Sequence, residues 1–184
     1  MNSLNWNDLF SALHPGFFEA PSIRTLPEGD VFEELALNLR AFDPAVYAKQ
    51  LDDSVTFGSV RGGSPALLRA VEAVEPDWIP YFSESHPAYF AFVNGEIASF
   101  CLITDFGAHS VNGRIIKIGG PGCVGTVPAY RRLGIGLTLV KNATLILKDQ
   151  GYDYSYIHYT GVGPWYQKLG YRVCLRWNRN GILS

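Results

Sequence analysis

The chain has 184 residues, 47% of them hydrophobic and 17% charged, with a formal net charge of −2. That length and apolar share predict one globular domain with a real core and exclude a disordered chain; the near-neutral balance excludes bulk nucleic-acid binding. No apolar run is long enough to span a bilayer, and the first residues lack the basic start and apolar centre of a secretory signal. Cys101, Cys123 and Cys174 form no CxxC pair and read as reduced core thiols of a cytoplasmic protein. Residues 1–100 hold 14 of the 17 acids and five of the 15 bases, so the first half carries −9 and the remainder +7. A basic second half suits a polyphosphate ligand and an acidic first half a cationic amine, although the two halves also neutralise each other when packed.

Within residues 1–20, Trp6, Leu9, Phe10, Leu13 and Phe17 fall at near-helical spacing and predict an extra N-terminal helix, ended by Pro15-Gly16. Ser22 to Leu26 reads as a strand. Asp30 to Arg40 reads as a helix from Val31, Leu35 and Leu39, with Asp30 as N-cap. Pro44 to Leu51 reads as a short helix, Ser54 to Pro65 as a loop, and Pro65 to Val74 as a further helix. Ala88 to Val93 and Glu96 to Asp105 flank Asn94-Gly95, a two-residue hairpin signal. Asn112-Gly113 is a second such signal and makes Ile115 to Val127 a third antiparallel strand. Pro121 lies inside it, so its pairing must be interrupted there, with a bulge or splay as the result.

A helix is predicted over Tyr130 to Gln150. Leu133, Leu137, Val140 and Leu147 share one face, Ile135, Leu139, Ala143 and Ile146 widen it, and Gly151 is the stop. Tyr152 to Thr160 is a strand, Gly163 to Leu169 a short helix, and Tyr171 to Trp177 the last strand. Three meandering strands followed by strand–helix–strand predict a mixed α/β sandwich.

The stretch most informative about chemistry is Val124 to Gln150. An apolar strand runs through Val124-Gly125-Thr126-Val127 into a Pro turn and delivers Arg131-Arg132-Leu133-Gly134-Ile135-Gly136 to the start of the long helix. Backbone N–H groups in a first helical turn lack intrahelical partners, the macrodipole is positive there, and glycines admit an anion close to the backbone. The arrangement is a phosphate cradle, with charge added by the two arginines. Gly120-Pro121-Gly122-Cys123-Val124-Gly125 also matches a dinucleotide fingerprint, but that fingerprint requires a helix to open at the glycines, and here extended chain follows.

Arg131-x-x-Gly134-x-Gly136 resembles the Gln/Arg-x-x-Gly-x-Gly/Ala signature of the GNAT superfamily of acyl-CoA N-acyltransferases. Trp165-Tyr166-Gln167-Lys168-Leu169-Gly170-Tyr171 resembles that family's Leu-Tyr-Glu-x-x-Gly-Phe segment. Together the two signatures cover residues 115–177, the expected cofactor-binding and catalytic core. The resemblance implies a GNAT-like fold, with a central, mostly antiparallel sheet, splayed strands and flanking helices. It implies acetyl-CoA as acyl donor, with its pyrophosphate on Arg131, Arg132, Leu133, Gly134, Ile135, Gly136 and Leu137. Its pantetheine arm would lie along the strand edge at Val124, Gly125 and Thr126. Tyr166 is the implied general acid for the departing thiolate, a role open to a phenol. The family often carries Asn seven residues earlier, where this chain has Tyr159.

The general base is read only as a set of candidates: His158 first, then Glu84, His86 and Asp105. The acceptor is a small-molecule amine or a peptide amine, and a homodimer is implied by analogy. No metal-ligand spacing is present. The competing readings are a non-catalytic acyl-CoA sensor, which needs no acid, and an NAD-binding oxidoreductase.

Overall fold

The computed structural model describes residues 4–61, 63–82 and 87–183. Its centre is one eight-stranded sheet in the order β2-β3-β4-β5-β6-β1-β7-β8. The strands are β1 (Phe32–Asn38), β2 (Val55–Arg61), β3 (Pro87–Val93), β4 (Glu96–Val111), β5 (Arg114–Thr126), β6 (Tyr154–Thr160), β7 (Arg172–Asn178) and β8 (Gly181–Ile182). All neighbours are antiparallel except β5 and β6. The helices are α1 (Trp6–Leu13), α2 (Pro21–Arg24), α3 (Pro65–Glu72), α4 (Ile135–Asp149) and α5 (Gly163–Gln167). This is the mixed, mostly antiparallel sandwich that the order of elements predicts. No helix among the described residues is long and apolar enough to cross a membrane.

Both hairpins form as the Asn-Gly pairs require. Asn94 and Gly95 have φ of 51° and 84°, Asn112 and Gly113 of 50° and 73°, the left-handed pairs of a tight two-residue turn. In β5, Cys123 and Val124 stand opposite Cys101 alone, since Leu102 pairs with Gly122 and Phe100 with Gly125. This is the interruption expected from Pro121, displaced by two residues.

The first 60 residues depart from the sequence reading. Asp30 to Arg40 contains β1, not a helix. Val31, Leu35 and Leu39 sit four apart, which suits a helix, but Leu35, Leu37 and Leu39 alternate, which suits a strand. β1 is central, paired with β6 on one side and β7 on the other. Ser54 to Pro65 supplies β2, whose Gly58 and Ser59 are tolerated at the sheet edge, where only β3 must be matched. Ser22 to Leu26 is not a strand, because Pro21 occupies the first turn of α2. Of Pro44 to Leu51, only Pro44–Val46 is helical, as one 3₁₀ turn.

α4 buries Leu137 and Val140 on one flank and Ile135, Leu139 and Ala143 on the other, against the sheet. It begins five residues later than the apolar spacing predicts. Pro128–Tyr130 is a 3₁₀ turn, and Arg131 to Gly134 form a separate loop in which Leu133 is half-exposed and lies off the apolar face. α1 covers the other side of the sheet, with Trp6 stacked on Tyr156 at 5.8 Å and Leu9 packed against Ile116 and Ile118.

Candidate active site

β5 and β6 pair only at Ile118–Tyr154 and Gly119–Ser155, and then part. A Cβ on Gly120 would collide with the Tyr156 carbonyl oxygen, so the parting point requires glycine. Beyond it, the edge of β5 that faces β6 has no strand partner among the described residues as far as Thr126. The opening leads into a cavity of about 600 Å³ between β5, α4 and α5.

The turn before α4 closes one end of that cavity. Arg132 has φ 67° and Gly134 φ 88°, so the chain coils through two left-handed residues before the helix starts. The first helical bond runs from the Thr138 N–H to the Gly134 carbonyl, leaving the N–H groups of Ile135, Gly136 and Leu137 without intrahelical acceptors. Arg131 Nε donates to the Thr126 carbonyl at 3.0 Å and locks the turn to β5. Ser99 Oγ lies 2.6 Å from the Gly125 carbonyl and 3.0 Å from Thr126 Oγ1, which holds that strand end from below. Unpaired N–H groups, a helix N-terminus and the cationic side chains of Lys49, Arg131 and Arg132 make this end able to hold an anion.

Tyr166 stands at the other end, nearly buried, on a helix that starts at Gly163-Pro164. Its hydroxyl makes no hydrogen bond among the described residues. Burial, followed by the neighbouring Tyr171 hydroxyl, pushes its pKa well up, so the phenol stays protonated and available as a donor. Trp165 meets its ring edge-on at 4.8 Å and lines the same cavity.

Of the residues singled out in the sequence, Val124, Gly125, Thr126, Arg131, Arg132, Gly134, Ile135, Gly136, Leu137 and Tyr166 all line this one cavity. Leu133 does not. His158 does not either: it projects from β6 toward the opposite face, against His14 and Phe17. Asp105 is used in a turn, accepting from the Gly107 N–H at 2.8 Å. Glu84 and His86 lie outside the described residues. The dinucleotide-like glycines fall within β5 and open no helix. Cys123 is pushed up to about 11 by burial, so it offers no thiolate at neutral pH.

Sequence reasoning missed Tyr47 and Lys49, which cross from the N-terminal segment to the mouth of the cavity. Lys141 Nζ bonds the Tyr47 carbonyl at 3.0 Å and tethers that segment to α4. Nothing local in Val46-Tyr47-Ala48-Lys49 signals such a role; only the fold brings it there.

A family model described as the acetyltransferase (GNAT) domain matches residues 63–174. The chain belongs to the GNAT acetyltransferase family. Among solved structures it resembles a GCN5-related glucosamine N-acetyltransferase region of a fungal multi-domain GH3 β-N-acetylglucosaminidase. The TM-score is 0.66 at 19% identity over 82% of this chain and 20% of that one. It also resembles a GCN5-related N-acetyltransferase from Kribbella flavida, with TM-score 0.52, 20% identity and 79% and 55% of the two chains. A putative GNAT acetyltransferase from Novosphingobium aromaticivorans gives 0.52, 18%, and 80% and 62%. The chain thus spans a fifth to about two thirds of these structures, and the likeness is one of fold. Among curated protein sequences none matches this chain.

Proposed function

We propose that this acyltransferase moves an acetyl group from acetyl-CoA to a primary amine by direct attack. The observation that supports it best is the joining, in one cavity, of the anion-binding turn at Arg131–Leu137 and the buried phenol of Tyr166. In this reading the pyrophosphate takes the free N–H groups of the turn, and the pantetheine arm pairs with the unpartnered edge of β5. The Val124 region supplies backbone donors to the thioester oxygen. Holding donor and acceptor together supplies much of the rate. The amine nitrogen attacks the carbonyl carbon, the C–S bond breaks, and Tyr166 gives its proton to the sulfur.

The test has two stages. Acetyl-CoA at about 100 times its Kd should add roughly 2.7 kcal/mol, or about 5–10 °C in Tm for a chain of this size, and NAD should add nothing. Arg131→Glu/Arg132→Glu should abolish the shift. CoA release is then followed with glucosamine, the amine named for the fungal neighbour, and with ethanolamine, tyramine and a dipeptide. Tyr166→Phe should lower turnover by roughly 10²–10⁴-fold without loss of the Tm shift. Unchanged turnover would remove Tyr166 from the mechanism. Binding without turnover for any amine would favour the sensor reading.

A further inference from the structure

The sheet face opposite the cavity holds a buried acid that the acyl-CoA reading leaves unused. Glu34, on β1, has no exposed surface. Its carboxylate accepts from Trp177 Nε1 at 2.6 Å, from the Tyr159 N–H at 3.2 Å and from His158 Nδ1 at 3.0 Å. A carboxylate only accepts, so the proton of the neutral imidazole sits on Nδ1 and Nε2 is left bare. Burying an acid in a sheet is costly unless donors meet it, and these three donors reach both carboxylate oxygens. The imidazole remains reachable, with 26% of its side chain exposed.

Its position relative to the cavity follows from strand alternation. Ile157 packs in one cluster with Tyr166, Leu137 and Val124, so the face of β6 that carries it is turned toward residues that line the cavity. The next residue, His158, points to the other face. The last β5–β6 pair is Gly119–Ser155, so no ladder joins the two strands at His158.

We propose that His158 and Glu34 form the acid–base site of the transfer, and that the acceptor amine enters through the α1 face of the sheet. This rests on the acyl-transfer reading above. One proton of the ammonium passes to His158 Nε2 and on to solvent. The freed electron pair forms the C–N bond as the C–S bond breaks. Sulfur takes the Tyr166 proton, and a second proton from the same nitrogen restores the phenol. Glu34 is the positioning residue: it holds the imidazole in the tautomer that can accept.

Transfer of a proton fits this cluster better than coordination of a metal. The donor atoms of His14, Glu34 and His158 lie within 4.8 Å of one another. However, the two imidazoles stack face to face, 3.8 Å apart and 14° from parallel, so their in-plane lone pairs do not converge on one ion. The titratable groups facing the pair are His14 beyond α1, Tyr156 and Tyr159 on β6, and Cys174 on β7. Burial, followed by the charge of His158, pushes His14 down to about 4, and burial pushes Cys174 up to about 12 and both phenols upward. None of these four changes charge between about pH 6 and 9.

The experiment compares wild type, His158→Gln and Glu34→Gln for CoA release from acetyl-CoA across that window. Two probes are used, ethanolamine and hydroxylamine, the second already unprotonated near neutral pH. His158→Gln should lower the ethanolamine rate by roughly 10²–10⁴-fold while hydroxylamine transfer changes only a few-fold. Glu34→Gln should lower the ethanolamine rate and spare hydroxylamine transfer in the same way, because an amide no longer fixes the imidazole tautomer. Equal losses with both probes, or no loss with either, would overturn the assignment. Imidazole ¹⁵N spectra test it without an acceptor: Nε2 bare is expected, and Nε2 protonated at pH 8 refutes it. An acetyl-CoA Tm shift in both variants shows that the cofactor site survives, so failure of this inference is distinguishable; no shift in wild type would overturn both readings.

Discussion

Gly134→Ala separates the shape of the anion-binding turn from the charge of its arginines. Gly134 sits at the N-cap of α4 with φ 88°, a conformation that costs an L-residue about 1–2 kcal/mol. A Cβ there would also lie 2.8 Å from Lys49 Cγ and 3.1 Å from Tyr47 Oη, so the Lys49 stem must move. Gly151 is the internal control: its φ is 79°, and a Cβ there would meet nothing within 4 Å. Both alanine variants carry the same backbone strain. At about 2–4 °C per kcal/mol, each should lose roughly 2–8 °C in Tm. Only Gly134→Ala displaces a cationic side chain at the cavity mouth. A hydrogen bond to a charged group contributes about 1.5–3 kcal/mol, so acetyl-CoA should bind roughly 10- to 150-fold more weakly to this variant alone. Calorimetric titration of both variants reads the difference. Equal dissociation constants, with Tm lowered in both, would show that Lys49 and the turn geometry have no part in binding.

Two further perturbations test the packing behind the site. Tyr171→Phe removes a buried hydroxyl shared with Thr144 Oγ1 at 2.8 Å and Ser155 Oγ at 2.6 Å, stranding the Ser155 hydroxyl. Urea unfolding should show a loss of about 1–3 kcal/mol, and a loss below about 0.5 would contradict the network. His14 is held down to about 4 from its usual 6.5, chiefly by burial and then by His158. The unfolded chain therefore binds this proton first as pH falls, so stability present above pH 6.5 is lost progressively toward pH 4. His14→Leu should flatten the fall of Tm between pH 7 and pH 5; an unchanged slope would assign the acid sensitivity elsewhere.

Where local chemistry determines local structure, the chain could be read directly. The Asn-Gly hairpins, the apolar stripe of α4 and the glycine stops at Gly151 and Gly170 each follow from a few adjacent residues. The shape of the turn before α4 was legible for the same reason, since Arg131 to Gly136 carry both the conformation and the charge. β1 was not, because Val31, Leu35 and Leu39 fit a helical spacing while Leu35, Leu37 and Leu39 fit a strand. Only its partners on both sides decide between them. Glu34 was invisible as a site residue for a related reason: inside a supposed helix it reads as a solvated acid. Its donors, Trp177 and His158, come from more than 120 residues away. Lys49 is the same case at the cavity mouth.

Those misread segments share one consequence. The family match begins at residue 63, yet β1, Glu34, Tyr47 and Lys49 all precede it. β6, α5 and β7 form a strand–helix–strand unit with a gap one strand wide, and β1 fills that gap from the far end of the sequence. Its five register pairs to β6 and five to β7 leave those strands with unpaired inner edges if it is removed. Leu35 and Leu37 also pack on Tyr166 and Leu169, so the orientation of α5, and with it the phenol, depends on β1. Deletion of residues 1–42 should therefore abolish cooperative unfolding as well as the acetyl-CoA shift, although every residue of the two family signatures remains. A truncated chain that still melts cooperatively and binds acetyl-CoA would show that β1 is an ornament on a self-sufficient core. The doubly paired register and the buried Glu34, held by donors on β6 and β7, argue that it is an integral strand.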